Sequence, residues 1–171
     1  MTAGPPTLTI RDATPADEPF LWRILSLTAG APEAEPRPLD AVRVDPGLSP
    51  YLVGWGRPGD AGVIAEVDGE PVGAAWHRHF PSEMPGYGFV AEQIPEISMG
   101  VEAAWRSRGI GRALLTALAQ QARAAGNAAL SLSVDAANAP ALALYQSMGF
   151  RTAGGSASNP TMLLDLQRLV G

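Results

Sequence analysis

The stretch from residue 97 to residue 134 constrains the fold more than any other part of the chain. It runs from ISMGV through a turn of glycines and arginines, RSRGIGR at 106–112, into an alanine- and leucine-rich segment and then ALSLSV. Its two ends have the apolar character of strands. Between them, Leu114, Leu115, Leu118 and Ala122 fall on one face of a helix, expected from about Arg112 to Ala125 with Gly126 as its stop. Strand, helix and strand in so short a span imply a right-handed crossover. That crossover lays the two strands parallel and puts the turn at the carboxyl end of the first.

The turn itself calls for an anion. A helix start already carries partial positive charge and unpaired N–H groups, so three arginines placed there oppose the local field unless something negative joins them. RSRGIGR is not a Walker A loop, because no Gly-Lys-Ser/Thr ends it. It is not a dinucleotide fingerprint either: Leu114 stands at the third glycine position, and no acidic residue follows about 20 residues on. Gly109 and Gly111 permit close backbone approach, and several consecutive N–H groups can converge on an anion the size of pyrophosphate. The bland alternative is a turn capped by Ser107 with its arginines in water.

The rest of the chain reads as α/β. TLTIRDA alternates like a strand, and Thr14-Pro15 with acidic residues behind them start a helix. Residues 29–60 are rich in proline and glycine and are expected to form an irregular flap with at most short helical turns. AGVIAEV and EPVGAAWHRHF flank Asp68-Gly69, a hairpin turn. A second loop, residues 81–95, leads into a strand from Glu96 to Val101. Asn138 and Pro140 start a short helix closed by Gly149, and TMLLDL offers a last strand.

Length and charge narrow the function. With 171 residues the chain is expected to be one domain, residues 1–171, with 1–6 as a disordered lead. The absence of cysteine excludes disulfides, zinc–thiolate sites and a cysteine nucleophile. A net charge of −5 argues against nucleic acid as a partner, arginine cluster notwithstanding. No apolar run reaches the roughly 18 residues of a membrane span, and MTAGPPTLTI lacks the basic and apolar regions of a signal peptide, so a cytoplasmic location without membrane contact is expected.

Two motifs together resemble the GNAT superfamily of acyl-CoA-dependent N-acyltransferases. Arg106, Gly109 and Gly111 match its Arg/Gln-x-x-Gly-x-Gly/Ala signature between strand and helix. NAPALALYQSMGF is similar to a second family segment through Asn138, Leu144-Tyr145 and Gly149-Phe150. The resemblance implies a mixed, mostly antiparallel sheet with one parallel crossover, splayed central strands and helices on both faces. It implies acetyl-CoA as co-substrate and no metal. Backbone groups near Met99 and Val101 would pair with the pantetheine arm, and N–H groups of Arg108, Gly109, Ile110, Gly111 and Arg112 would hold the pyrophosphate. Arg106 or Arg108 would serve the 3′-phosphate or simply lie in water. Asn138 and Tyr145 would also border the cofactor. The function implied is direct acetyl transfer, in a ternary complex, to a primary amine of a small molecule or peptide. The alternative is a non-catalytic acyl-CoA-binding or regulatory module on the same fold, against which a retained Tyr145 argues.

For the chemistry, Tyr145 is the family-matched acid for the departing thiolate, weighed against a tyrosine that only packs on the sheet. Glu96 and Glu92 are candidates for the base, each weighed against a solvated charge at a strand end. His77 and His79 alternate on one expected strand face but lack a third ligand, which disfavours a metal. Trp76, Phe80, Tyr87 and Phe89 are candidates for an acceptor groove or for core. The acceptor side is expected from residues 29–60 and 81–95, where Glu33, Glu35, Glu83 and Glu92 would attract a cationic amine. Homodimerisation is common among relatives and is carried over as an expectation.

Overall fold

The computed structural model describes residues 4–28 and 35–169. The first three residues of the expected lead, and Glu33 of the flap, lie outside them. One sheet of seven strands organises the described residues: β1 (Leu8–Asp12), β2 (Ala61–Val67), β3 (Glu70–Arg78), β4 (Glu96–Val101), β5 (Ala129–Ser133), β6 (Arg151–Gly155) and β7 (Pro160–Asp165), in the order β1-β2-β3-β4-β5-β7-β6. Every neighbouring pair is antiparallel except β4 and β5. The expected mixed sheet with a single parallel crossover is therefore the observed one.

The β2–β3 hairpin turns at Asp68 and Gly69, with φ of 50° and 83°, the positive values a tight turn of this kind requires. Alternation along the strands divides the core in two. Val63, Ala65, Ala75 and Ile97 face α3 (Ile110–Ala124), whose Leu114, Leu115 and Leu118 are buried against them. Each such leucine contributes about 1.5–3 kcal/mol on burial. Ile64, Ala74 and Trp76 face the other way, toward α1 (Glu18–Thr28) and the flap. α2 (Leu39–Val44) belongs to that flap, and α4 (Ala139–Ser147) covers the α3 side through Leu144 and Tyr145, with its C-cap residue Met148 packed beside them. No helix among the described residues is long and apolar enough to cross a membrane.

The structure departs from the sequence reading at two elements and places the two histidines. α3 begins at Ile110, two residues earlier than its apolar stripe suggests, because Gly109 at φ 80° is its N-cap. β6 is a strand that the sequence pattern does not announce. All five of its residues are exposed, so no alternation marks it, and its pairing with β7 shifts register between Thr152 and Gly154. His79 lies one residue beyond the end of β3, and its ring still sits on the same side as that of His77, 6.5 Å between centroids, as the two-residue spacing leads one to expect. His77 is buried, while His79 pairs its Nδ1 with the Glu92 carbonyl oxygen at 3.0 Å.

Candidate active site

The parallel pair is where the sheet opens. β4 and β5 meet in register only at Glu96 and Ser131, where the Ser131 N–H donates to the Pro95 carbonyl at 3.0 Å. Beyond that point β4 remains paired on its other edge, with Met99 opposite Ala75 and Val101 opposite Gly73. Backbone groups alternate sides along a strand, and Pro95 faces β5, so Met99 and Val101 face the opening. The Val101 carbonyl already accepts from Arg106 Nε at 3.1 Å. The first arginine of the motif therefore folds back on the strand it follows.

At the wide end lies the start of α3. Its first backbone hydrogen bond runs from the Ala113 N–H to the Gly109 carbonyl. Among the described residues the N–H groups of Arg108 to Arg112 have no backbone acceptor, and no side chain caps the helix. Ser107 is at φ 62° and is not the cap that the bland reading of this turn required. Arg108 lies over the Trp105 ring, 4.8 Å from its centroid, and Arg112 donates to Ser147 Oγ at 2.6 Å. Five adjacent donors at a helix start form a concave, positively polarised surface for an anion. The missing Cβ of Gly111, by contrast, points inward, 3.2 Å from Leu144 and 3.5 Å from Met99.

α4 borders the opening from the β5 side. Asn138 caps it, with Oδ1 accepting the Ala141 N–H at 3.3 Å. The Tyr145 ring packs on the α3-side core, 5.6 Å from the Phe150 ring, and burial pushes its phenol up to about 12. Its hydroxyl has no hydrogen-bond partner among the described residues, so packing accounts for the ring and not for the oxygen.

At the narrow end sits Glu96. It is 2% exposed, which corrects the picture of a solvated strand-end charge. Its Oε1 accepts the Gly88 N–H, while Oε2 has no hydrogen-bond partner among the described residues. Burial raises this carboxyl from 4.5 to about 7, with the facing Tyr51 hydroxyl and the Gly88 N–H pulling the other way. Glu92, the other candidate base, is exposed and fastens its own loop by accepting the Ser82 N–H at 2.8 Å.

What holds this end together is not visible in the sequence. Arg78, in register with Glu96 on β3, is 1% exposed. It makes two hydrogen bonds to Asp60, at 3.0 and 2.8 Å, and donates to the flap carbonyls of Pro50 and Val53 at 3.0 and 2.6 Å. Trp76 is core, its indole N–H bonded to the Tyr51 carbonyl at 3.1 Å. A cavity of about 210 Å³ lies between flap and loop, lined by Pro50, Phe80, Met84, Gly86 and Tyr87 among others. Tyr87 lines this cavity, Phe80 both lines it and belongs to the flap-side core, and Phe89 packs against that core. Among the described residues no group of His, Asp and Glu is arranged to hold a metal.

Residues 21–150 match the family model described as the acetyltransferase (GNAT) family. A mycothiol acetyltransferase of Streptomyces avermitilis is 29% identical over 86% of this chain and 44% of its own length. The chain spans less than half the length of the curated relatives it matches. Among solved structures, a ribosomal-protein-alanine N-acetyltransferase from Brucella melitensis is 27% identical with a TM-score of 0.68, covering 92% of this chain and 99% of that one. A phosphinothricin acetyltransferase from Sinorhizobium meliloti, solved with acetyl-CoA, shares the fold at 22% identity and a TM-score of 0.65, covering 93% and 88%.

Proposed function

Because this chain belongs to the GNAT acetyltransferase family, we propose that it transfers the acetyl group of acetyl-CoA to a primary amine, directly and in a ternary complex. The observation that carries this reading is the opening between β4 and β5. It has unpaired N–H groups at its wide end, a strand edge along its side and a buried carboxyl at its apex. Those features fit the co-substrate, a diphosphate joined through an amide-bearing arm to a reactive end. Acetyl-CoA supplies the activated thioester.

The residues of the chain divide the remaining work. The N–H groups of Arg108, Gly109, Ile110, Gly111 and Arg112 hold the diphosphate, and the backbone of Met99 and Val101 holds the arm. Arg106 occupies the Val101 carbonyl, which leaves the Val101 N–H for the arm. Asn138 retains its amide N–H groups for the same ligand, since only its oxygen is used in capping. Glu96, titrating near 7, is about half ionised at neutral pH and can take a proton from the acceptor. Freeing a lysine-like amine at pH 7 costs about 4.6 kcal/mol and an α-amine about 1.4 kcal/mol, so the demand on Glu96 depends on the acceptor. Tyr145, near 12, stays protonated at neutral pH and can donate toward the departing sulfur. The same shift makes it a weaker acid, so its proton must move as the bond breaks rather than before.

Relatives named for mycothiol and for ribosomal-protein alanine support an acceptor panel that holds both small amines and peptide N-termini. Homodimerisation and a cytoplasmic setting belong to the same proposal. The test is acetyl-CoA turnover with that panel, following free thiol and the mass of the product. Tyr145→Phe should lower turnover by about 10²- to 10⁴-fold with the melting temperature nearly unchanged. Tight acetyl-CoA binding without acetylation of any amine would favour the binding-module reading instead.

A further inference from the structure

Glu96 is not held by its own strand alone. The turn Gly86-Tyr87-Gly88 crosses its carboxyl so closely that a Cβ on Gly86 would lie 2.0 Å from Oε2, and one on Gly88 would lie 2.5 Å from Oε1. On its other side, a Cβ on Gly88 would strike the β5 backbone at Leu132 and Ser133. Glycine at position 88 is what lets the turn fit between carboxyl and strand, and glycine at position 86 leaves room for the Glu96 carboxyl and the Tyr51 hydroxyl. The middle residue of this turn is bound from the flap: the Tyr87 N–H donates to the Tyr51 hydroxyl at 2.8 Å.

Tyr51 is therefore the residue from which the cover over Glu96 hangs. Its hydroxyl accepts from Tyr87, which leaves its own proton to be directed elsewhere, and the unpartnered Oε2 of Glu96 lies beside the same Gly86 Cβ position, 2.0 Å from it against 2.8 Å for the hydroxyl. Its ring is fixed independently, edge-on to Phe80 at 4.9 Å and stacked with Tyr87 at 6.3 Å. Its carbonyl is bonded to Trp76, and the adjoining carbonyls of Pro50 and Val53 to Arg78. A phenol mounted this firmly on an otherwise irregular flap has a fixed direction.

We infer that Tyr51 is a positioning residue for Glu96, anchoring the Gly86–Gly88 turn over the carboxyl and directing its phenolic proton toward the ionised form. The other groups facing the carboxyl do not take this part. Arg78 of β3 is occupied by Asp60 and two carbonyls. The Tyr87 ring stacks on Tyr51 and its hydroxyl lies at Gly47, and Ser131 of β5 is uncharged. A hydroxyl aimed at the carboxylate favours ionisation, so it keeps Glu96 available as a base at a pH where burial alone would hold it protonated. Only the kinetic part of this inference rests on the acetyltransferase reading.

The test is a ¹³C titration of the Glu96 carboxyl in the full chain, wild type against Tyr51→Phe, which keeps the ring and removes only the hydroxyl. The ionised-to-protonated ratio at fixed pH should fall by roughly three- to tenfold in the variant. A fall of less than twofold, or a rise, overturns the inference. If the wild type acetylates amines, the acid limb of kcat/KM should move to higher pH by the same factor with the acceptor KM unchanged. If it acetylates none, the acetyltransferase reading fails and the titration still decides the role of Tyr51. Should Tyr51→Phe not fold, 3-fluorotyrosine at position 51 provides a more acidic phenol and should raise the ionised ratio. An unchanged ratio there overturns the inference equally.

Discussion

The two ends of the opening between β4 and β5 are built on opposite principles. At the wide end, one continuous segment, Arg106 to Arg112, presents backbone N–H groups to solvent, and its arginine side chains lie along the surface against Val101, Trp105 and Ser147. At the narrow end, the flap, β3, the 86–88 turn and β4 bring Tyr51, Asp60, Arg78, Gly88 and Glu96 together in near-complete burial. Solvent screens the first, and its donors are fixed by helix geometry. The second depends on every partner being present, because a charge removed from water is tolerated only when it is matched. Substitutions should therefore be mild where charge is plentiful and severe where it is scarce.

The largest expected effect lies at the narrow end. Asp60→Ala would leave the Arg78 guanidinium, 1% exposed, with two carbonyl partners and no counter-charge. Breaking a buried pair from one side costs about 3–5 kcal/mol, readable as a shift in denaturant midpoint. A loss below about 1 kcal/mol would mean that Arg78 escapes to water and that the flap is not fastened there.

Next in size is a pH effect with a definite sign. Glu96 has its folded value raised to about 7 from 4.5, so between those values the native state holds a proton that the unfolded state has lost. Stability from this group is present below about pH 4.5 and disappears as pH rises through 7. His77 runs the other way: burial, then the neighbouring His79, lowers it from 6.5 to about 4, so its contribution is present above 6.5 and lost on acidification toward 4. The two slopes oppose one another between about pH 4.5 and 6.5. Glu96→Gln removes one of them, and its stability relative to wild type should climb by roughly 3 kcal/mol between pH 4.5 and 7. A difference independent of pH would show that Glu96 is ionised normally.

At the wide end the corresponding probe is the ligand. Acetyl-CoA at a hundredfold excess over its dissociation constant should stabilise the fold by about 2.7 kcal/mol, and desulfo-CoA by a similar amount if the phosphates dominate. No thermal shift in a folded sample would remove the anion site.

The difference in construction also explains what could be read from the chain. Arg106, Gly109 and Gly111 sit within six residues of one another, and Leu114, Leu115 and Leu118 mark the helix behind them, so a window of the sequence contains the whole device. Tyr51 and Arg78 carry no local mark. Arg78 ends an apolar strand as an arginine ending many surface strands would, and only the fold brings Asp60 to it. Glu96 stands out by its position at a strand start, but its burial comes from Gly86 and Gly88, whose spacing in GYG reads locally as nothing more than a flexible loop. β6 is hidden for a different reason: an edge strand exposed on every residue has no buried face to pattern.

The smallest effect separates the two glycines of the motif. Both suggest close backbone approach when read as sequence, yet they do different things in the fold. Gly109 is at φ 80° with nothing within 4 Å of the place an added methyl would occupy, so Gly109→Ala meets no clash but must hold a left-handed backbone, at about 1–2 kcal/mol. Gly111 lies inside α3 with a helical backbone, and an alanine methyl there would press on the flexible ends of Leu144 and Met99. The gain of up to about 1 kcal/mol from replacing a helical glycine offsets that crowding, so Gly111→Ala should change stability little. Thermal denaturation of the two variants in parallel gives the order. If Gly111→Ala proves the more damaging, the seam between Met99 and Leu144 is rigid, and the opening is shaped by side-chain packing as well as by the helix start.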